Sequence, residues 1–185
     1  MVGAAAAAGL GVARLRGADP AQLPSTGPLA CLPCIGEATS LTVEPGRPFT
    51  HGLVLLHNRG RRAATLLGVR IDVPDGVSVV GARLLDPARS PWGLTALDRR
   101  FPPGGLRSRA RPLRGAVVPP SRTGGDGREV LVGLVVRRAG VFVFHRIAVD
   151  YAVGGTRYRA VFPESMRVCA PRGYAGRCEP PRFSR

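Results

Sequence analysis

The chain has 185 residues, a formal net charge of +15 at pH 7 and an aromatic content of 5%. This length supports one domain with its own core, and the 25 glycines and 18 prolines argue against a fold of long helices. All 27 basic residues are arginine, a bias that fits the codon usage of a GC-rich genome. The scarcity of acids still predicts some attraction to anionic surfaces.

Residues 1–38 are predicted to precede the folded domain. The apolar run 1–15, MVGAAAAAGLGVARL, is shorter than the roughly 20 residues that a membrane-spanning helix needs. It is either the end of a membrane helix that begins upstream or an Ala/Gly leader. The first alternative is preferred, because the Pro-rich segment 16–33 that follows is typical of a tether. We therefore expect a module anchored to the cell membrane and exposed outside the cytoplasm.

A β pattern begins at residue 39. Alternation in residues 64–73 predicts a strand with Leu67, Val69, Ile71 and Val73 facing inward and Arg70 facing solvent. Pro-Gly and Asn-Arg-Gly sequences between the apolar runs are typical turns, since Pro presets φ and Gly permits the reversal. The strands predicted in this half of the chain are residues 39–43, 49–58, 64–73 and 77–85.

Residues 41–80, LTVEPGRPFTHGLVLLHNRGRRAATLLGVRIDVPDGVSVV, resemble bacterial cell-surface immunoglobulin-like modules of the CARDB and NPCBM-associated type. In those modules a strand, an x-Pro-Gly turn, a strand ending in Asn-x-Gly, another strand and a Pro-x-Gly-Val turn follow one another. The resemblance implies a sandwich of about seven to nine strands that serves as a spacer or adhesive unit. It assigns no functional residue in this sequence.

Residues 99–128 interrupt the β pattern with eight arginines, five prolines and one acid. Only residues 115–118 are predicted to form a strand, and the rest is predicted to be a long, mobile, basic loop. The candidates for contact with an anionic partner are Arg107, Arg109, Arg111 and Arg114. Just before the loop, Trp92 is predicted to close one end of the sandwich rather than to stack on a ligand.

The strongest β signal lies in residues 129–162. A Gly154-Gly155 pair between two apolar runs predicts a hairpin, because such turns need positive φ. In residues 141–153 the odd-numbered side chains, from Val141 to Val153, are nearly all apolar and are predicted to face the core. The predicted strands here are residues 129–137, 141–153, 156–162 and an edge strand at 165–170, followed by an irregular tail at 171–185.

Taken together, these patterns predict an all-β fold: a two-sheet antiparallel immunoglobulin-like sandwich over residues 39–170, with a long basic loop and irregular termini.

The four cysteines flank the β region. Cys31 and Cys34 form a CxxC motif, which is compatible with zinc binding, thiol–disulfide exchange or a disulfide. Redox catalysis requires a helix after the first cysteine, and zinc requires two more ligands in suitable spacing, so structural disulfides are preferred. We predict that Cys169 pairs with Cys178, as suits an oxidising compartment.

No catalytic motif stands out in the sequence. His51, His57 and His145 are scattered and lack carboxylates in ligand spacing, so we interpret them as structural or surface residues. The preferred function is therefore a non-enzymatic extracytoplasmic module with a structural or binding role, without a cofactor. Its partner is expected to be an anionic polymer, a membrane surface or another cell-surface protein. The alternatives are a binder of anionic polymer or nucleic acid through residues 99–128, and a CxxC protein that handles metal or disulfides.

Overall fold

The computed structural model describes residues 27–31, 38–85, 96–98, 100–102, 104–121, 127–171 and 178. The predictions for residues 1–15, Cys34, Trp92 and most of the C-terminal tail lie outside this range. Within it the chain forms eleven strands and one turn of 3-10 helix, Gly104–Leu106, and no α-helix. The strands are β1 Leu29–Cys31, β2 Ala38–Thr42, β3 Pro48–Asn58, β4 Ala64–Ile71, β5 Val77–Leu85, β6 Ala96–Asp98, β7 Ala110–Pro112, β8 Val117–Val118, β9 Arg128–Val136, β10 Gly140–Val153 and β11 Thr156–Ala170.

The strands form two sheets that pack face to face. The first sheet has the order β1-β3-β9-β5-β7, with β6 also paired to β3, and the second has the order β2-β11-β10-β4-β8. All pairs are antiparallel except β2 with β11, which run parallel. The Gly154-Gly155 hairpin joins β10 to β11, and both glycines have positive φ, at 56° and 89°. The predicted two-sheet, mainly antiparallel β-sandwich is confirmed.

The core lies between the sheets and is built mainly from β-branched, leucine and phenylalanine side chains. From the first sheet it contains the even-numbered residues of β9, Val130, Val132, Leu134 and Val136, all at most 1% exposed. From the second sheet it contains Tyr151, Phe144 and Ile147, among others. Burial of such side chains is the main favourable term in the folding of a sandwich of this size.

The inward side of β10 changes along the strand. Val141 is 41% exposed, whereas Phe142 is buried, so the prediction that Val141 and Val143 face the core is wrong. The cause is a shift in the register between β10 and β11, located between Phe144 and Arg146. Such an irregularity moves the following side chains to the opposite face. The buried positions are therefore Phe142 and Phe144 before the shift and Ile147, Val149 and Tyr151 after it.

A similar irregularity affects β4. Asp150 pairs with Gly68 and Tyr151 with Leu66, so Leu67 has no partner in this register. Leu66 is fully buried, and the predicted inward position of Leu67 is wrong. Beyond the irregularity Val69, Ile71 and Val73 pack against the core, as the alternation predicted.

The first sheet extends into the segment that was predicted to be a linker. Leu29–Cys31 forms β1 and pairs with the end of β3, and Leu29 is only 5% exposed. Tyr151 holds this strand in place: the Leu29 backbone N–H donates to its hydroxyl at 3.3 Å, and its ring stacks on Tyr158 at 5.4 Å between centroids. Burial raises the pKa of Tyr151 above its ordinary value of 10.0, the hydrogen bond from Leu29 opposes this rise, and Tyr158 adds to it.

This burial predicts a loss of stability at alkaline pH. Tyr151 ionises less readily in the folded than in the unfolded chain. Its contribution to the free energy of unfolding is therefore complete below pH 10.0 and is lost as pH rises through the pKa of the folded state. The chain contains no lysine, so side chains other than tyrosine contribute little there. Urea midpoints at about pH 9 and 11 should differ less for Tyr151→Phe than for the unmodified protein. Tyr158→Phe, which keeps the Tyr151 hydroxyl, should retain the drop. An equal drop in Tyr151→Phe would contradict this assignment.

Within the described part of the chain, no helix is long and apolar enough to cross a membrane.

Candidate anion-binding face

The outer face of the first sheet carries an unusual row of residues across its three central strands. Thr50 of β3 lies opposite Gly133 of β9, and Gly133 lies opposite Gly81 of β5. Because two neighbouring positions lack side chains, the sheet surface has a depression, which we call the glycine slot (Gly81 and Gly133). Strand glycines often mark places where another group approaches the backbone closely.

Phe101 fills the glycine slot. A Cβ added to Gly133 would stand 2.7 Å from the ring Cδ2 and closer still to Cγ, and one added to Gly81 would stand 3.0 Å from Cε1. Phe101 and Leu106 also pack on a second small cluster of buried residues, Leu85, Ala110 and Leu131. The Thr50 hydroxyl donates to the backbone carbonyl of Arg100. The two glycines of this row therefore accommodate the ring of Phe101, and the Thr50 side chain fixes the backbone that precedes it.

We call residues 100–102 and 104–121 the basic segment. As predicted, most of this segment is irregular, but the prediction of a single strand at residues 115–118 is wrong, because the structure has two short strands here. Ala110–Pro112 forms β7 on the edge of the first sheet, and Val117–Val118 forms β8 on the edge of the second. Between these strands Leu113 is 2% exposed and Ala116 is 7% exposed, so both belong to the main core.

The crossing between the sheets is fixed by backbone hydrogen bonds. Leu66 N–H donates to the Ala116 carbonyl, and Gly115 N–H donates to the Leu66 carbonyl, both at 2.8 Å. Gly115 has a φ of 81°, which a residue with a side chain rarely adopts. At the far end the Ser121 hydroxyl accepts from Asn58 N–H at 2.9 Å, and Asn58 Nδ2 donates to the Val118 carbonyl at 3.0 Å. The basic segment is therefore attached to the sandwich along most of its length.

A cleft of about 520 Å³ lies where the basic segment begins. Its described lining contains three arginines and no carboxylate: Arg47, Pro48, Arg100, Phe101, Pro102, Gly104 and Arg107. A Cβ on Gly104 would stand 3.7 Å from Arg100 Nη1, which places this guanidinium beside the Gly104 backbone. All three arginines are exposed. The cleft therefore combines concentrated positive charge with an apolar wall formed by Phe101 and the two prolines.

The four arginines predicted as contacts for an anionic partner do not all converge. Arg107 lines the cleft. Arg111 donates from Nη2 to the Val117 carbonyl at 3.2 Å, which places it where the segment crosses between the two sheets. Arg109 and Arg114 are exposed on the same segment. All four side chains are thus exposed on the basic segment, but of the four only Arg107 belongs to the described lining of the cleft.

The site residues predicted from the sequence did not include two of the three arginines of the cleft, Arg47 and Arg100. They also did not include the glycine slot that holds Phe101. Arg47 precedes β3, some 50 positions before Arg100, and only the fold brings them together. A signal for the glycine slot is present in the sequence, because Gly81 and Gly133 each interrupt an apolar strand pattern. Their position opposite each other follows only from the register of β5 with β9.

Three arginines on the second sheet have a different environment. Asp150 binds Arg159 at 2.6 Å and Arg70 at 3.0 Å, and Asp72 binds Arg146 at 2.7 Å. Each of these guanidinium groups therefore has a carboxylate partner within the fold. The cleft, with its three arginines and no carboxylate among the described residues, is better suited to an external anion.

The cysteine predictions have a clear outcome. Cys169 and Cys178 form a disulfide with Cα atoms 5.9 Å apart, which confirms the predicted pairing. Cys31 is also disulfide-bonded. Metal binding by these three sulfurs would require free thiolates, so the structure favours the disulfide interpretation. Among the described residues, no group of three or more His, Cys, Asp or Glu side chains is placed to hold a metal ion.

The histidines are not brought together. His51, on β3, is 1% exposed, and His145, on β10, is exposed at the register shift. His57 lies near the end of β3, against Gly127. The interpretation of these residues as structural or surface histidines is consistent with these positions.

Comparison with known proteins gives only distant structural likenesses. No family model and no curated protein matches the sequence. Among solved structures, the chain is similar to a PapD-like domain of human CEP192 (13% identity, 89% of this chain and 99% of that one, TM-score 0.35). It is also similar to the VesB protease of Vibrio cholerae (12% identity, 77% of this chain, TM-score 0.35) and to the secreted serine protease VesC of the same organism (12% identity, 71%, TM-score 0.33). The chain spans 32% and 21% of these two proteases. At this level of similarity no activity is transferred to this chain.

Proposed function

We propose that this protein is a non-enzymatic immunoglobulin-like module that works outside the cytoplasm and binds an anionic polymer of the cell surface through its basic segment. The observation that carries this proposal is the cleft with Arg47, Arg100 and Arg107, whose described lining contains no carboxylate. Because the glycine slot and Thr50 hold the start of the basic segment on the sheet, these arginines are presented by an ordered backbone. The membrane tether expected from the sequence remains a prediction.

The chemistry of this surface supports binding rather than catalysis. Guanidinium groups donate hydrogen bonds to oxyanions, but they stay protonated in proteins and neither donate nor accept protons in a reaction at neutral pH. Arginine forks are well suited to orienting carboxylate and phosphate groups. The surface is thus equipped to hold an anionic partner without transforming it.

Two features support a cell-surface polymer over nucleic acid as the partner. Disulfides persist in oxidising environments, and Cys31, Cys169 and Cys178 are all disulfide-bonded. Binders of single-stranded nucleic acid usually present aromatic side chains on which bases stack. Here the phenylalanine of the basic segment, Phe101, is occupied in the glycine slot.

The proposal is tested by changing Arg107, Arg109, Arg111 and Arg114 to Ser. These side chains are exposed, so thermal stability should change little. Retention on a heparin column at about 0.15 M salt should fall sharply, because Arg107 is removed from the cleft and Arg100 is then the only arginine left among the described residues of the basic segment. The matched control changes Arg59, Arg61, Arg62 and Arg157, which are also exposed and lie on the β3–β4 turn and at the start of β11. Both variants lower the net charge from +15 by four, to +11.

The control should keep most of its retention. Equal losses in the two variants would show that only net charge matters, and the proposed role of the basic segment would be wrong. Retention of the unmodified protein and of the two variants on a column of double-stranded DNA tests nucleic acid as the alternative partner. Stronger dependence on the basic segment for DNA than for heparin would favour nucleic acid.

A further inference from the structure

The composition of the cleft restricts the kind of anion that it can bind. Its three guanidinium groups, on Arg47, Arg100 and Arg107, bring three positive charges to one volume of about 520 Å³. Each carries five N–H donors in a planar fork. A carboxylate offers one negative charge and two oxygens, which a single fork can satisfy. A phosphate monoester carries about −1.5 to −2 charges and three terminal oxygens, so it can use more than one fork.

The apolar wall strengthens this preference. Phe101, Pro48 and Pro102 line the same cleft as the arginines. Apolar groups beside a charged site displace water, which strengthens the remaining hydrogen bonds and charge interactions. They also provide a surface for the carbon skeleton to which a phosphate is esterified. An ester therefore fits this cleft better than the bare inorganic ion.

We infer that the cleft lined by Arg47, Arg100 and Arg107 binds a phosphate monoester. This inference rests on the proposed function, because it takes the ligand to be part of the anionic polymer that the module binds. The part that the cleft recognises is then the phosphorylated end of the polymer. A free small phosphate ester has the same chemistry, and the experiment below distinguishes the two sources. Gly104 provides the means to test the cleft without removing an arginine.

The decisive comparison is between Gly104→Asp and Gly105→Asp. A side chain at position 104 begins 3.7 Å from Arg100 Nη1, so its carboxylate can bind this guanidinium and compete with the ligand. A Cβ at position 105 meets no atom within 4 Å, although the two residues are adjacent and the change in charge is identical. Any difference between the variants therefore reports on the cleft and not on overall charge.

The measurement is calorimetric titration of the full chain with glycerol 3-phosphate, with inorganic phosphate and with acetate at equal ionic strength. Glycerol 3-phosphate should bind most tightly, and acetate at least about tenfold more weakly. Gly104→Asp should weaken binding of the ester at least about tenfold, and Gly105→Asp less than about threefold. Equal binding of acetate and ester, or equal effects of the two variants, would overturn the inference. If Gly104→Asp does not fold, Arg100→Ser against Arg61→Ser replaces the pair, with the same expectations.

Competition separates the two sources of the ester and the two levels of the proposal. The polymer is a polysaccharide with a terminal phosphate monoester, compared with the same polysaccharide after phosphatase treatment. If glycerol 3-phosphate displaces only the phosphorylated form from the module, the cleft holds the end group of a polymer. If it binds without displacing that form, the ligand is a free small ester. If the ester does not bind but retention on heparin still depends on the basic segment, this inference is refuted and the proposed function stands. If the ester binds but retention does not depend on the basic segment, only this inference is supported. If the ester does not bind and retention does not depend on the basic segment, the inference and the proposed function are both refuted.

Discussion

Alanine at position 133 should destabilise the domain by about 1–3 kcal/mol, as overpacking in a close-packed site usually does. The new methyl group would stand 2.7 Å from Phe101 Cδ2 and closer to Cγ, so the ring would have to leave the glycine slot. Displacement of the ring also moves the neighbouring Arg100, and retention on heparin should therefore fall although no arginine is changed. Chemical denaturation and column retention measure the two effects.

The same substitution, Gly133→Ala, should no longer destabilise the domain when Phe101 is already alanine. The slot is then empty, and Gly133→Ala should be neutral or should stabilise by about 0.4–1 kcal/mol through the unfolded chain. The double-mutant cycle measures this coupling directly. Gly68→Ala is the control, since this strand glycine has no atom within 4 Å of the added Cβ. An equal cost of Gly133→Ala in both backgrounds would show that Phe101 does not occupy the slot in solution.

Loss of the Cys169–Cys178 disulfide should cost about 2–3 kcal/mol, because a bridge between residues nine positions apart closes a short loop in the unfolded chain. Cys178 also approaches the second sheet, with its Sγ 3.7 Å from the Leu41 carbonyl of β2. Among the described strands, β2 pairs only with β11, in parallel, from Ser165 opposite Ala38 to Cys169 opposite Thr42. Hydrogen exchange should therefore increase first in β2.

Cys178→Ala tests this prediction, because it leaves the buried Cys169 side chain in place and removes only the sulfur of the half-buried Cys178. Urea denaturation should show the loss, and a reducing agent should then lower the stability of the variant less than that of the unmodified protein. A variant within about 0.5 kcal/mol of the unmodified protein would show that the bridge contributes little.

The overall fold could be predicted because its signals are local. Alternating apolar residues and glycine turns, such as Gly154-Gly155, specify strands and hairpins within short stretches of sequence. The inward faces of β4 and β10 could be predicted only in part. In β10 both Val141 and Phe142 are apolar, so the sequence does not mark the register shift near Phe144. A prediction that does not include the shift assigns the correct faces to the residues after it. The same prediction inverts the faces of the residues before it.

The candidate site was harder to predict, for two physical reasons. The density of arginine and proline in residues 99–128 indicated a solvated loop, yet a few apolar residues between them, Ala110, Leu113 and Ala116, are sufficient to attach it to the sandwich. The cleft itself combines Arg47 with Arg100 through the tertiary fold. No spacing rule in a single sequence relates two such distant positions.

The path of the basic segment from β7 to β8 also affects how the module behaves in a crowded solution. Each of these two short strands is the last strand at one edge of its sheet. β7 ends at Pro112, and Pro119 and Pro120 follow β8 directly. Proline and arginine at a sheet edge discourage pairing with the strand of another molecule. β7 pairs with Arg83–Leu85 at one end of β5, and β8 pairs with Ala64 and Thr65 at one end of β4, so the segment covers part of each edge. The segment that carries the positive charge should therefore also hinder strand addition at these two ends, whereas Val79 and Val80 of β5 stay 45% and 44% exposed.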